Sequence, residues 1–269
     1  MLFRSIALVP AHGAGLEEAI ASTADAVAFT LADAAVSVRD LRRAATEGLV
    51  RVTDCGKAGF AILNHPRTQL LRDDIDAVTS THLKAVILPH AVDPQDVRDL
   101  AVLLREFELL RGLEPGEIAV FPVIDTARGL VRAVEIVQAA PRVGGLVFDG
   151  GAYSADCGAR AEENGPRLAY ARGAVVAAAR AFEKRPLVVS EPLQLPHLAQ
   201  YGFAGVLLPD SRAASLANAA FTPAALVVEL AHRQIAAYEA ARTEGAWVAR
   251  LGSHVVDAHT NRKARQIIE

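Results

Sequence analysis

Short, continuous runs of apolar residues recur along the whole chain. Eight of them are β-branched or unbroken rather than alternating, and they cover residues 5–10, 26–31, 60–64, 85–89, 118–124, 145–148, 186–190 and 204–209. A strand with a continuous apolar sequence is buried on both faces, which is typical of a parallel sheet. The pattern therefore predicts eight parallel strands.

Stretches with helical periodicity lie between these runs, at about 15–22, 37–47, 69–78, 94–110, 126–138, 168–183 and 194–200, with a further one after Asp210. The segment 94–110 is the clearest. Asp93 is suited to cap it, Pro94 fits the first turn, and apolar residues then follow at spacings of three or four. A strand thus alternates with a helix along the chain.

Eightfold strand–helix alternation predicts an α/β fold, a (β/α)8 TIM barrel, for which about 250 residues is the usual size. The alternative is a doubly wound open sheet, which needs a glycine-rich phosphate turn after its first strand. The sequence His-Gly-Ala-Gly at 12–15 is a poor match to that turn, so the barrel is favoured.

The barrel is expected to occupy residues 1–220, followed by a C-terminal helical extension over 221–269. Thr222 and Pro223 are suited to open a long amphipathic helix. The tail after it, 244–269, holds the only Trp, Trp247. We expect this tail to pack on its own barrel or on a neighbouring subunit, within one domain overall.

Composition excludes several partners. The net charge of −3 gives no basic surface for nucleic acid, and no apolar run approaches the roughly 20 residues of a membrane span. The N-terminal apolar stretch is too short for a signal peptide. Two cysteines, Cys55 and Cys157, cannot make a disulfide framework or a paired metal motif. The expected protein is cytoplasmic, with a small-molecule substrate and with neither nucleic acid nor membrane as partner.

Polar residues follow every predicted strand, at the barrel end where active sites are built. They are His12, Thr30, Asp33, Asn64, His65, His90, Asp125, Asp149, Glu191 and Asp210. Loops are polar in any barrel, but the number of carboxylates and histidines favours a small-molecule site over a bare scaffold.

Ordered motifs over residues 4–268 resemble the citrate lyase β-subunit branch of the HpcH/HpaI aldolase superfamily. The matching segments are Arg-Ser with Val-Pro-Ala at 4–11, ADAVAFTLADAAV at 24–36, Asn64 with Asp74, Leu-Pro-His at 88–90, IDTARGL at 124–130, 148–158, Phe-Thr-Pro at 221–223 and Val-Val-Asp at 255–257. Eight landmarks in order make the resemblance specific for the fold.

The resemblance implies a lyase that breaks a carbon–carbon bond in a 3-hydroxyacyl-CoA or a hydroxy-oxo acid, usually with Mg²⁺. It implies two carboxylate ligands for that ion. The first falls on Asp125, where the family has Glu, and the second falls on Ala152, which cannot bind a metal. Asp149 and Asp156 lie close in sequence and are the candidate replacement ligands. Asp149 can instead cap the loop after the sixth strand.

The resemblance also implies a pocket lined by Arg4, Asp33, Asn64 and His90. Asp33 either organises the pocket or caps the next helix. His90 stands where the family has Lys, and it is either an acid–base group or a strand-end residue bonded to its neighbours.

Asp257 matches the family's catalytic Asp, which acts as acid or base from the tail of an adjacent subunit. A homotrimer, or a hexamer built from trimers, is therefore expected.

Four charged family positions have become Ala32, Ile62, His90 and Ala152. Ile62 replaces the arginine that polarises the substrate carbonyl, and one such donor is typically worth ~10²–10³ in rate. Two hypotheses follow: a carbon–carbon lyase with an altered metal site, or a non-catalytic paralogue that serves as a ligand-binding or partner subunit. A relocated metal site predicts that Asp149 or Asp156 points into the barrel mouth beside Asp125.

Overall fold

The computed structural model describes residues 3–10, 13, 15–32, 36–158, 166–190 and 192–268. The chain divides into two compact units, Phe3–Phe221 and a smaller unit that contains Thr222–Glu269. Cys55 and Cys157 are both free and exposed.

The larger unit is a closed barrel of eight parallel strands in sequence order, β1 to β8. Ser5 pairs with Val206, which joins the last strand to the first. The predicted (β/α)8 architecture is therefore confirmed. The strands are Ser5–Pro10, Ala26–Thr30, Ala58–Ile62, Leu83–Leu88, Ala119–Ile124, Gly145–Asp149, Arg185–Val189 and Gly205–Leu208.

Helices connect the strands on the outside of the barrel. In chain order α1 to α10 are Leu16–Ala21, Val38–Asp54, Leu71–Val78, Pro94–Leu110, Ala127–Val131, Ala133–Val137, Gly150–Asp156, Pro166–Ala181, Leu195–Tyr201 and Ala214–Phe221. Short 3-10 turns, Pro192–Gln194 and Ser211–Ala213, precede α9 and α10. Asp93 caps α4, as the sequence predicts, and the structure shows that it does so in a reciprocal capping box with Asp96.

Alternate residues of each strand belong to two apolar clusters, one inside the barrel and one between the barrel and its helices. The inner cluster is organised by three rings, with Phe60 lying 4.9 Å from Phe3 and 5.9 Å from Phe121 between ring centroids. Such edge and offset contacts are favourable. The side chains fill the barrel, so a ligand site can only form at its ends.

Several predicted boundaries are wrong. Helix α2 continues to Asp54, seven residues beyond the predicted end. The predicted helix 126–138 is two short helices that are separated at Arg132.

The smaller unit consists of helix α11, Ala225–Thr243, an antiparallel pair of short strands, β9 Ala249–Leu251 and β10 His254–Val256, and helix α12, Ala258–Ile268. Its apolar contacts join Ile235 of α11 to Ala264 of α12, and Tyr238 of α11 to Val256 of β10. Ala224, not Thr222, is the N-cap of α11, and it contributes no side-chain cap.

No single helix among the described residues combines the length and the apolar composition of a membrane span. Only the segments 211–221 and 225–243, taken together as a bent pair, meet that criterion, which buried core helices also meet.

Candidate active site

Three of the predicted site residues leave neighbouring strands at the carboxyl end of the barrel. Leu88 of β4 pairs with Pro122 of β5, and Ile124 of β5 pairs with Phe148 of β6. His90 and Asp125 therefore follow adjacent strands, and Asp149 ends the next one. Parallel strands lie roughly 4.8 Å apart, so the sheet brings these three residues into one sector of the barrel mouth.

Asp125 is the buried centre of this sector, with its side chain only 9% exposed. Its Oδ2 atom accepts the backbone N–H of His90 at 3.1 Å and lies 2.9 Å from Nδ1 of the His90 ring. Its Oδ1 atom is buried without a hydrogen-bond partner in the described part of the chain. A buried carboxylate oxygen without a donor costs about 1–3 kcal/mol or more, so this atom is a candidate contact for a ligand.

His90 adopts a left-handed backbone conformation, with φ of 57°. Few residues other than Gly, Asn, Asp and His adopt it. The turn is held because Ala91 N–H donates to Val123 O at 3.2 Å while His90 N–H donates to Asp125. Strained residues of this kind cluster at functional sites. The imidazole itself is 67% exposed at the mouth.

Gly129 permits helix α5 to approach this turn closely. A Cβ atom on Gly129 would lie 2.7 Å from Ala91 O and 3.1 Å from Thr126 Oγ1, whose side chain caps the helix. Sequence reasoning assigned no role to Gly129. An isolated glycine inside a helical stretch is the signal that was available.

Replacing Gly129 by Ala is expected to lower the free energy of unfolding by about 1–3 kcal/mol, because the added methyl group meets backbone oxygen rather than a flexible side chain. Urea unfolding of the variant would measure this. Gly173→Ala is the matched control, since a Cβ at that exposed helical position meets nothing within 4 Å. The control should be neutral or slightly stabilising, and equal behaviour of the two variants would contradict the assigned contact.

Asp149 acts as the N-cap of α7. Its Oδ1 atom accepts the backbone N–H groups of Gly151 and Ala152, each at 3.0 Å. This is the capping role that the sequence left as the alternative to metal binding. Ala152 lies in the first turn of the same helix and offers only its backbone.

Asp156, at the end of α7, turns back toward β5. Its Oδ2 atom accepts the N–H of Ala127, two residues after Asp125, at 2.8 Å. The carboxylate is exposed and sits at the start of α5, where the helix dipole favours negative charge. Asp156 therefore belongs to the same sector as Asp125, held there by a backbone contact.

The residues present do not fit the two-carboxylate magnesium site that the resemblance implies. Asp125 offers one free buried oxygen, Ala152 offers none, and Asp149 and Asp156 each bond backbone amides. Within the described residues, no group of three or more His, Cys, Asp or Glu side chains is arranged to hold a metal ion.

The floor of the mouth is mainly apolar. Leu8, Ile62 and Val189 are half-buried and pack on the inner cluster of the barrel. The resemblance implies an arginine where Ile62 stands, and the structure has an apolar side chain there. Ala32, where the resemblance implies a Glu, is exposed.

Asn64 is held by a neighbouring helix. Its side-chain amide donates to Asp74 Oδ2 at 2.7 Å and to Leu31 O at 3.3 Å, and its backbone N–H donates to the same Asp74 oxygen. Asp74 is fully buried and also accepts Arg42 Nε at 2.8 Å. These contacts fix the end of β3, so Asn64 has a structural role at the edge of the site.

Arg4 lies at the opposite end of the barrel, just before β1. It pairs with Asp25, which precedes β2, through bonds of 2.7, 2.8 and 3.0 Å. Burial would raise the pKa of Asp25, but the hydrogen bonds from Arg4 outweigh it and hold that pKa below its ordinary value. The structure therefore places Arg4 apart from the residues that it was expected to join, in a pair that links two strands.

The remaining predicted residues lie in the smaller unit or outside the described residues. Asp257 belongs to the smaller unit, where its Oδ1 atom accepts the backbone N–H and the hydroxyl of Thr260. These two bonds lower the pKa of the exposed Asp257 carboxyl. Asp33, His12 and Glu191 lie outside the described residues.

Comparison with known proteins gives consistent matches. Residues 6–208 match the HpcH/HpaI aldolase/citrate lyase family. The chain is 28% identical to the citrate lyase subunit beta of Escherichia coli K12, over 98% of this chain and 92% of that protein. It is 27% identical to a (3S)-malyl-CoA thioesterase of Cereibacter sphaeroides, over 95% and 90%.

Among solved structures, the CitE protein of Mycobacterium tuberculosis in complex with magnesium, acetoacetate and coenzyme A is similar. The TM-score is 0.69 at 21% identity, covering 99% of this chain and 97% of that one. This likeness supports the barrel fold.

Proposed function

The chain belongs to the HpcH/HpaI aldolase/citrate lyase family, and from this membership we propose that it is a carbon–carbon lyase acting on a hydroxyacyl-CoA or a hydroxy-oxo acid at the carboxyl end of the barrel. The observation that supports the proposal is Asp125. It is a buried carboxylate with one unpartnered oxygen at the mouth, beside an exposed histidine. Sites of this kind are where barrel enzymes carry their chemistry.

Of the two relatives, one is named as a citrate lyase subunit and the other as a CoA thioesterase. The two reactions differ in their products, since a lyase leaves the thioester intact and a thioesterase releases free CoA thiol. Chromatography for the acyl-CoA product and thiol titration therefore separate the two classes on one sample. The apolar replacement at Ile62 favours an acyl thioester over a dicarboxylate as the group that rests on the floor of the mouth.

Magnesium is bound by the related M. tuberculosis protein. In this chain the side chains near Asp125 do not form a carboxylate pair. Mg²⁺ usually takes one or two protein carboxylates together with substrate oxygens and water. We expect the wild-type protein, without substrate, to bind Mg²⁺ no more tightly than the Asp156→Asn variant does.

Acetyl-CoA, alone and with pyruvate, is expected to stabilise the native protein, and calorimetric titration and thermal unfolding would measure it. A ligand at 100 times its dissociation constant adds about 2.7 kcal/mol to the free energy of unfolding. Asp125→Asn should reduce this stabilisation at least in the ternary mixture, because it removes the buried charge that contacts the His90 ring at the mouth.

Asp54→Asn is the control, since it makes the same change on an exposed residue at the end of α2. Loss of the ligand response in both variants would place the site elsewhere. If neither acetyl-CoA nor pyruvate stabilises the wild-type protein, the lyase proposal fails. A non-catalytic paralogue, retained as a partner subunit, would then account for Ala32, Ile62 and Ala152.

We also propose a cytoplasmic homotrimer, or a hexamer, in which Asp257 of one subunit serves as an acid–base group for its neighbour. The exposed Asp257 carboxylate and its lowered pKa support a charged group that is available to a second chain. Sedimentation would measure the assembly. A monomer with full activity would contradict the shared site.

A further inference from the structure

We propose that His90 and Asp125 form a metal-independent acid–base dyad, in which Nε2 of His90 transfers the proton and Asp125 positions the ring. The inference rests on the proposed function, because it names the group that does the proton chemistry of that same site. Sequence resemblance alone implies a lysine and a glutamate at these positions. The structure brings their replacements into direct contact.

The geometry orients the imidazole. Asp125 Oδ2 accepts the His90 backbone N–H at 3.1 Å and faces ring Nδ1 at 2.9 Å. A carboxylate oxygen only accepts hydrogen bonds, so Nδ1 carries the hydrogen. The lone pair is then on Nε2, the nitrogen that a general base needs.

The difference in burial assigns ring positioning to Asp125 and proton transfer to His90. The Asp125 side chain is 9% exposed and the His90 side chain is 67% exposed. Most of Asp125 is therefore withdrawn from a substrate in the mouth, whereas the far side of His90 is open to it. Asp125 Oδ2 lies 2.9 Å from ring Nδ1, so the carboxylate would face an imidazolium formed at His90 with an opposite charge.

The left-handed backbone conformation of His90 is held by contacts with neighbouring elements. The backbone of His90 is held by Asp125 and by the adjacent Ala91–Val123 bond, and helix α5 packs on the turn through Gly129. These contacts hold the backbone of residue 90, and the 2.9 Å contact of Nδ1 with Asp125 orients the ring. Such preorganisation is what a catalytic group requires.

The proton and electron balance needs no metal. In cleavage, Nε2 takes the proton of the substrate hydroxyl, the carbon–oxygen bond becomes a carbonyl, and the carbon–carbon bond breaks. Its electron pair forms the enolate of the acyl group, and Nε2 returns the proton to that carbon. In the reverse direction Nε2 removes a proton from the methyl group of acetyl-CoA.

The test uses that reverse half-reaction. Wild-type protein in D₂O with EDTA is expected to exchange the methyl hydrogens of acetyl-CoA, or of pyruvate as a second probe, which ¹H NMR measures. His90→Gly should lower the rate by about 10²–10⁴, the usual contribution of a positioned base. Glycine tolerates positive φ, so this variant should fold, and His90→Asn is a second variant for the same reason.

Added imidazole should restore exchange to His90→Gly, which a purely structural role of His90 would not allow. Asp125→Asn should lose exchange while its thermal midpoint without ligand stays close to that of Asp54→Asn. Exchange that persists in His90→Gly, or that requires Mg²⁺ in the wild-type protein, would overturn the dyad and leave the lyase proposal standing. Binding of acetyl-CoA without exchange under any condition would also overturn it. Failure of both probes to bind would overturn the proposed function itself.

Discussion

Replacing Arg142 by methionine is expected to lower the free energy of unfolding by about 3–5 kcal/mol, the usual cost of removing one partner of a buried ion pair. Glu108 is fully buried, and the Arg142 side chain is 8% exposed. The guanidinium binds both carboxylate oxygens, at 2.9 and 2.7 Å. Methionine keeps much of the length of arginine and leaves the Glu108 charge uncompensated. Chemical unfolding at pH 7 would measure the loss.

Arg43→Met is the matched control, because its pair with Asp40 is exposed on both sides. Exposed pairs contribute little to stability. A loss of similar size in both variants would contradict the importance of burial at Arg142.

The pH dependence of this effect has a defined sign. Burial would raise the pKa of Glu108, but Arg142 and the N–H groups of Gly116 and Ile118 outweigh burial and lower it. Glu108 therefore stabilises the wild-type protein above its unfolded pKa, and that contribution is lost as the pH falls through the folded pKa. In Arg142→Met the arginine no longer opposes the effect of burial on Glu108. Protonation of Glu108 at lower pH therefore stabilises the variant. The difference between the two proteins should shrink from pH 7 to pH 5, and a constant difference would contradict this account.

The sequence predicts the barrel because its strands are continuous apolar runs, which the structure places at nearly the predicted positions. The predicted ends of helices and strands are wrong where a tertiary contact requires a glycine. Gly48 lies inside α2, just past the predicted end of the helix. Glycine is needed there because a Cβ would lie 2.5 Å from the Phe29 ring. Gly59 of β3 lies where a Cβ would meet His82 O at 2.6 Å. The predicted strand begins after it, at Phe60, because glycine carries no strand signal.

The site is less predictable than the fold. The ends of the strands can be located from the pattern, which explains why His90, Asp125 and Asp149 are found at one end of the barrel. Which atoms face each other depends on the turn at His90 and the cap at Asp149, and neither has a periodic signal. Arg4 is a different case: it precedes the predicted strand 5–10, so the pattern alone places it at the end of the barrel opposite to residues that follow a strand.

The mouth has a consistent chemical character. The resemblance implies a cation where Ile62 stands and an anion where Ala152 stands, while His90 contacts Asp125 directly. On that resemblance, Ile62 and Ala152 lack the two charges expected to serve a metal-bound, carboxylate-bearing substrate. They leave the features that serve proton transfer over an apolar floor. This pattern favours altered chemistry over simple loss of a site.

Asp74→Ala is expected to lower the free energy of unfolding by about 3–4 kcal/mol. Its carboxylate is fully buried and accepts Arg42 Nε, Asn64 N–H and the Asn64 side-chain amide. Removal leaves a largely buried guanidinium and two donors without this acceptor, and each unsatisfied donor costs about 1–3 kcal/mol. Urea unfolding would measure the change. Asp73→Ala is the control in the same helical turn, because Asp73 also contacts Arg42 but is 68% exposed.

The same pair of variants decides what Asn64 does. If Asn64 only fixes the end of β3, Asp74→Ala lowers stability while the affinity for acetyl-CoA, measured by calorimetry below the unfolding midpoint, stays within about threefold of Asp73→Ala. If Asn64 binds substrate, releasing it from Asp74 lets the amide rotate, and affinity falls by the tenfold or more that about 1.4 kcal/mol represents. The structure predicts the first result, because both amide bonds of Asn64 are made to the protein and the His90–Asp125 contact does not depend on them.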